Sequence, residues 1–193
     1  MHGVSATSLT DIAMVAGVTR GAIYWHFKNK VELFNEIWFV AESKVHAHEL
    51  EYQAKFPDDP LHVLTETLIY ILDATVSNTE WRALMEIIFH KCEFVGEMAS
   101  FQDVRKGLYT ECYERIEHTL VRCVEQGQLP ADLHCRRAAI LLRAYITGLM
   151  ENWLFMPGTF DLQGSSRILI AAFLDLLRMS PNLCHATNVP AKD

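Results

Sequence analysis

Apolar residues recur at helical spacing along nearly the whole chain, and no segment shows the strict alternation of a half-buried strand. Leu9, Ile12, Ala13 and Ala16 mark a short amphipathic helix that runs into Gly17, a residue that tolerates the positive φ of a sharp corner. A second short helix is predicted from Thr19, as N-cap, to about Trp25. Val18 is expected to point back into the angle between the two. Such a pair is a helix-turn-helix. Asn29 followed three residues later by Glu32 reads as a capping box, so a longer helix starts at about Lys30. Its apolar face is Val31, Phe34, Ile37, Trp38, Ala41 and Val45, and it can run to about Gln53.

The segment Phe56-Pro57-Asp58-Asp59-Pro60 reads as a loop in which Asp59 caps the next helix and Pro60 takes its first position. That helix carries Leu61, Leu64, Leu68, Ile71 and Leu72. The next follows a break at Ser77-Asn78-Thr79 and turns Trp81, Leu84, Met85, Ile88 and Phe89 inward. A longer helix is predicted from about Met98 to Val124, closed by Gln126-Gly127. Pro130 and Asp132 introduce the most apolar helix, Ala138 to Phe155, which Pro157-Gly158 stops. The last helix is predicted from about Ser166 to Met179. These last two helices hold more apolar positions than one core-facing stripe needs, among them Ile168, Leu169, Phe173 and Leu176. A second buried face follows, most simply the same two helices of another copy in a four-helix bundle. The fold class is therefore all-α: a helix-turn-helix domain over 1–29, a larger ligand-binding and dimerisation domain over 30–180, and a tail over 181–193 expected to be disordered.

In a helix-turn-helix the second helix lies in the major groove, with its N-terminal residues at base edges and phosphates. Here that end carries Thr19, Arg20, Gly21 and Ala22, with Tyr24, Trp25 and His26 behind them. Arg20 can make a bidentate contact to guanine, the two small residues allow close approach, and the aromatic cluster can pack on sugar and donate to phosphate. The alternative for Tyr24 and Trp25 is core packing; Ile23 and Phe27 are assigned to the core. The net charge of -7 across 193 residues argues against DNA only if the chain is taken as one body. Residues 1–30 hold Arg20, Lys28 and Lys30 against Asp11 alone, which is +2, and the rest carries -9. A positive end can then face phosphate while the acidic body stays clear of it.

The string VTRGAIYWHFKNKVELF, Val18 to Phe34, resembles the recognition helix and following helix of the TetR/AcrR family of bacterial repressors. AKFPDDP (54–60), FHKCEF (89–94) and GLMENWLF (148–155) resemble its AcrR-like branch, repressors of multidrug efflux operons. The resemblance covers nearly the whole chain. It implies a homodimer through the last two helices, which reads a palindromic operator in double-stranded DNA and is released by a small cationic or amphipathic inducer. It also implies DNA contacts at Thr19, Arg20, Gly21, Tyr24, Trp25, His26 and Lys30, and places Thr7 and Ser8 where the first helix of the motif meets phosphate. The family pattern has a full helix before this motif, and the chain opens where that helix would end. Leu9, Ile12, Ile23 and Phe27 are then expected to be partly uncovered, and a ligand-binding dimer without operator binding is the alternative reading.

Glu42 lies one turn after Trp38 on a face otherwise directed into the large domain. A carboxylate there needs a partner, and a cationic aromatic compound would serve; the resemblance implies that role too. A rim glutamate, paired or solvated, is the alternative. Glu151 and Asn152 interrupt the most apolar helix and could line a pocket floor or bond across a dimer. Met85 and Phe89 could supply an adaptable wall, with core packing as the alternative.

Glu86, His90, Cys92 and Glu93 form the sole cluster hinting at a metal, without the second His or Cys that would complete a set, so no metal or cofactor is expected. Five cysteines without CxxC spacing suggest reduced thiols. No phosphate loop, nucleophile elbow or HExxH is present, so no enzyme is expected. No run of about eighteen apolar residues or signal-peptide pattern appears, so no membrane partner is expected and a cytoplasmic protein is.

Overall fold

A computed structural model describes residues 3–92 and 99–184. A 3-10 turn at Val4–Ala6 precedes α1 (Leu9–Val15) and α2 (Arg20–His26), the helix-turn-helix. Next come α3 (Lys30–Lys55), α4 (Pro60–Ser77) and α5 (Thr79–Glu86), which runs into a π-helical turn at Ile87–Lys91. The chain then forms α6 (Ala99–Glu125), α7 (Cys135–Phe155) and α8 (Leu162–Met179), and a 3-10 turn at Pro181–Leu183.

Local chemistry sets these boundaries. Ser8 and Asp11 close a full capping box on α1. Thr19 Oγ1 accepts from Ala22 N at 3.1 Å to cap α2. Asn29 Oδ1 accepts from Glu32 N at 2.9 Å, but the Glu32 carboxylate returns to Lys28 N, one residue before the cap. Asp59 caps α4 as predicted, with Pro60 at its first turn. Gly17 turns the corner between α1 and α2 at φ +69°. Val18 does not wedge that corner: it is 48% exposed, and its N–H closes the turn on Ala13 O at 3.0 Å.

The main core is built around α4, which packs on α3, α5, α6, α7 and α8. Leu72, Leu120, Leu142, Leu162, Ile170 and Leu177 are completely enclosed there, each worth about 1.5–3 kcal/mol over an exposed position. Leu9, Ala13 and Ile23 form a separate small core in the helix-turn-helix, flanked by half-buried Ile12, Phe27 and Leu33. Leu9 and Ile23, for which partial exposure is expected from the sequence, are only 4% and 7% exposed, because α1, α2 and the start of α3 enclose them. Ile12 and Phe27 are the pair left half open.

Three boundaries differ from the sequence pattern. α8 begins at Leu162, a turn before Ser166, because Asp161 caps it by accepting from Gly164 N at 2.8 Å. α7 begins at Cys135 with His134 as cap, and Pro130 and Asp132 belong to the preceding turn. The stretch after Met179 is not loose as far as Cys184. Leu183 is buried, its carbonyl accepts from His134 N at 2.7 Å, and Arg137 donates to Asn182 O at 2.6 Å. The rest of the tail lies outside the described residues. Among the described residues no helix is long and apolar enough to cross a membrane.

Candidate functional site

α2 presents one continuous exposed surface. Thr19, Arg20, Gly21, Ala22, Tyr24, Trp25 and His26 are all exposed, and Ile23 alone turns inward to hold the helix down. Trp25, 81% exposed, is no core residue. Its ring stands edge-on to His26 at 4.6 Å, and the Arg20 guanidinium lies 5.5 Å from the Tyr24 ring. The surface therefore carries one cation at its N-terminal end and a fixed aromatic group behind it. Ser8 is exposed at the N-terminus of α1, with its side chain spent on the capping box, and the Thr7 hydroxyl donates to Gly3 O at 3.1 Å. Lys30 is half-buried and donates to Val4 O at 3.0 Å, so in this conformation it braces the 3-10 turn against α3 and does not point freely outward.

Toward the other domain, α3 passes along a half-open cavity of about 160 Å³ with a side lobe of about 90 Å³. Trp38, Glu42, Met85 and Phe89, four of the candidate ligand residues, line it together. Glu42 is not alone: Oε2 accepts from Trp38 Nε1, one turn back on α3, at 3.2 Å, and Oε1 pairs with Arg115 of α6 at 3.4 Å. Tyr109, Cys112, Arg143, Thr147 and Met150 complete the wall from α6 and α7. Burial pushes the Cys112 thiol above its ordinary range, while Arg143 and Arg115 pull it down and Glu42 and Glu49 push it up, so these charges converge on the same space.

Glu151 and Asn152 are not in this wall. Both are exposed on the outward side of α7, beside Leu141, Gly148 and Phe155. The cavity face of α7 is Arg143, Ile146, Thr147 and Met150, spaced at i, i+3, i+4 and i+7, and positions 151 and 152 have rotated past it. Arg115 and Arg143 are the charged wall residues that sequence reasoning missed. The signal was present in Arg143, a charge inside the most apolar helix and in register with Ile146 and Met150.

Of the suspected metal cluster, Glu86 pairs with Lys91 at 2.8 Å, His90 faces Phe155, and Glu93 lies outside the described residues. Among the described residues no three metal-ligating side chains converge. The π-helical turn touches both halves of the molecule. Ile88 and Phe89 line the cavity, whereas Ile87 and Lys91 border a groove with Val4, Thr7, Ile12 and Lys30. Turns of this rare type recur at functional positions.

A helix-turn-helix with an exposed second helix, joined by one long helix to a domain enclosing a cavity, defines a helix-turn-helix transcriptional regulator that also holds a small molecule. Comparison with known proteins agrees. Residues 1–37 match the family described as bacterial regulatory proteins, tetR family, and residues 59–179 match the C-terminal region of MAATS-type transcriptional repressors. The chain is 59% identical to the HTH-type transcriptional regulator AcrR of Shigella flexneri over 97% of this chain and 87% of that protein. Its fold is similar to NalD, the secondary repressor of the MexAB-OprM multidrug efflux pump in Pseudomonas aeruginosa, at 31% identity and a TM-score of 0.76, covering 92% and 89% of the two chains. It is also similar to SmeT of Stenotrophomonas maltophilia in its triclosan complex, at 25% identity and a TM-score of 0.80, covering 96% and 88%. The chain belongs to the TetR family of transcriptional repressors.

Proposed function

We propose that this repressor binds a palindromic operator as a homodimer, controls a multidrug efflux operon, and leaves DNA when a cationic or amphipathic compound occupies the cavity between α3, α6 and α7. The observation that carries the reading is the pairing of an exposed, cation-tipped α2 with a cavity reached by the same α3 that anchors it. Lys30 and Glu42 are twelve residues apart on α3, about 18 Å at 1.5 Å per residue. A tilt of about 5° at the cavity moves the other end by about 1.5 Å, the scale on which small shifts become switching transitions. The π-helical turn gives a second connection, from Phe89 on the cavity to Lys91 beside the 3-10 turn.

Ile140, Leu141, Phe155, Ile168, Leu176 and Met179 are exposed on α7 and α8, and a second copy on this face would cover them as a four-helix bundle. Glu151 and Asn152 would then lie within or beside the dimer seam. Two-fold pairing sets the separation of the two α2 helices and hence of the operator half-sites. A relative with AcrR's name and the efflux-repressor neighbours supports the choice of operon.

Glu42 would receive a cationic head once Arg115, 41% exposed at its side chain, swings out to water. The test is a titration of the 193-residue protein against efflux-operon promoter DNA at fixed salt, with and without a cationic acridine dye. Specific binding that the dye reverses is expected. Glu42→Gln should weaken the cationic dye more than an uncharged aromatic of the same size, and equal loss for both removes its role. Binding no tighter than to scrambled DNA overturns the operator reading.

A further inference from the structure

The polar lining of the cavity is unbalanced. Glu42 already faces two donors, Trp38 Nε1 and Arg115. Arg143, across from it on α7, has no carboxylate in pairing range among the described residues. Its Nε is shielded from solvent and meets no hydrogen-bond partner among the described groups. What holds the guanidinium is stacking: its carbon lies 3.6 Å from the centre of the Tyr109 ring and 5.4 Å from that of Tyr113. Stacking on an aromatic face satisfies the positive charge and leaves the buried, in-plane Nε–H unanswered. A buried, unanswered donor is costly, and an anionic acceptor answers it best.

We propose that Arg143 is the anion-receiving point of the cavity, and that the site takes aromatic amphiphiles bearing an ionised acid, carboxylate or phenolate, with the acid on Arg143 and the ring between Trp38, Met85, Phe89 and Ile146. This rests on the cavity being the ligand site, and it adds a second recognition point opposite Glu42. A compound with an acid at one end and an amine at the other can engage both. Arg143 is committed to Tyr109 in its present place, so it has no need to move to meet the ligand, whereas a cation must first displace Arg115. Acids are therefore received at lower reorganisation cost than cations. The size of the site sets the ring: two lobes of about 160 and 90 Å³ accept a two-ring aromatic with little opening.

The experiment compares 1-naphthylacetate with its uncharged methyl ester, by calorimetry and by quenching of Trp38 and Trp81, both in the cavity wall. The cationic acridine dye serves as a third probe. In the unaltered protein the acid should bind at least about tenfold tighter than the ester, the ratio expected of one charge-assisted hydrogen bond. Arg143→Gln should abolish that ratio by weakening the acid far more than the ester, and Arg143→Lys, which keeps the charge but not the planar stack, should retain part of it. Equal binding of acid and ester to the unaltered protein overturns the proposal whether or not any variant folds. A ratio that survives in Arg143→Gln overturns it too. If the dye binds and the acid does not, Arg143 loses its role and the cavity keeps its own; if none of the three perturbs either tryptophan, the cavity reading falls and this inference with it.

Discussion

Replacing Arg20 with alanine separates DNA reading from every other property of the molecule. Arg20 opens α2, is exposed, and makes one intramolecular contact worth naming, its stack on Tyr24 at 5.5 Å. Loss of an exposed cation-π contact costs about 0.5–1 kcal/mol, and alanine is a good helix former, so the fold and the dimer should survive with the unfolding midpoint barely moved. The cost on DNA is larger. A bidentate arginine contact to guanine is worth about 1–3 kcal/mol, and a dimer makes it once in each half-site, for about 2–6 kcal/mol. That range is about thirtyfold to about 10⁴-fold in operator affinity. The loss should concentrate on the operator, since a base contact carries sequence information and a phosphate contact does not. Fluorescence anisotropy on operator and scrambled duplexes at two salt concentrations separates the cases. Unchanged operator affinity with an intact dimer refutes the assignment. An equal loss on both duplexes with a shallower salt dependence would make Arg20 a phosphate contact instead.

Two further expectations concern the body of the protein. Leu183 is 2% exposed and covers the start of α7, so Leu183→Ala should lower stability by about 2–5 kcal/mol, seen as a lower urea midpoint at fixed protein concentration; an unchanged midpoint means that the turn is not part of the cooperative unit. Burial pushes the Cys123 thiol up to about 12 from its ordinary 9.0. The folded state keeps a proton that the unfolded state has lost, so this contribution is complete below about pH 9 and disappears as the pH rises through about 12. Mass-mapped alkylation at pH 8 should leave Cys123 unmodified in the native protein and modify it in urea; native labelling at that position contradicts the burial.

The helices and their caps were legible in the sequence because their causes are local. Thr19, Asn29 and Asp59 each accept from a backbone N–H three residues on, as Ser8 also does, a cap absent from the sequence reading, and apolar spacing alone distinguishes Ile23 from exposed Trp25 only once a partner surface is known. The four ligand residues on α3, α5 and the π-helical turn came together because Trp38 and Glu42, and Met85 and Phe89, are each spaced at i, i+4. Glu151 and Asn152, offered for a pocket floor or a bond across a dimer, lie off this cavity's wall for a reason of phase. A polar residue in an apolar helix says that something is unusual, but its angle relative to neighbours says on which side, and Arg143 had the inward angle. Leu183 and the π-helical turn carried no such signal. A three-residue turn has no period to detect, and the extra residue of a π-turn arises from what packs around it.

The half-open cavity, about 160 Å³ with a lobe of about 90 Å³, is smaller than the roughly 300 Å³ at which drug-sized pockets begin. Occupancy and response are therefore different events. A compound that fits the existing space has no need to move α3, and one that holds both conformations of the dimer equally transmits nothing, however tightly it binds. Only a guest too large for the resting shape has to push α3 aside, and its apparent affinity is reduced by the work of doing so. If induction runs through α3 as proposed, size becomes a threshold: small aromatics are expected to occupy the cavity and compete with inducers without releasing DNA, while Glu42 and Arg143 select among guests by charge.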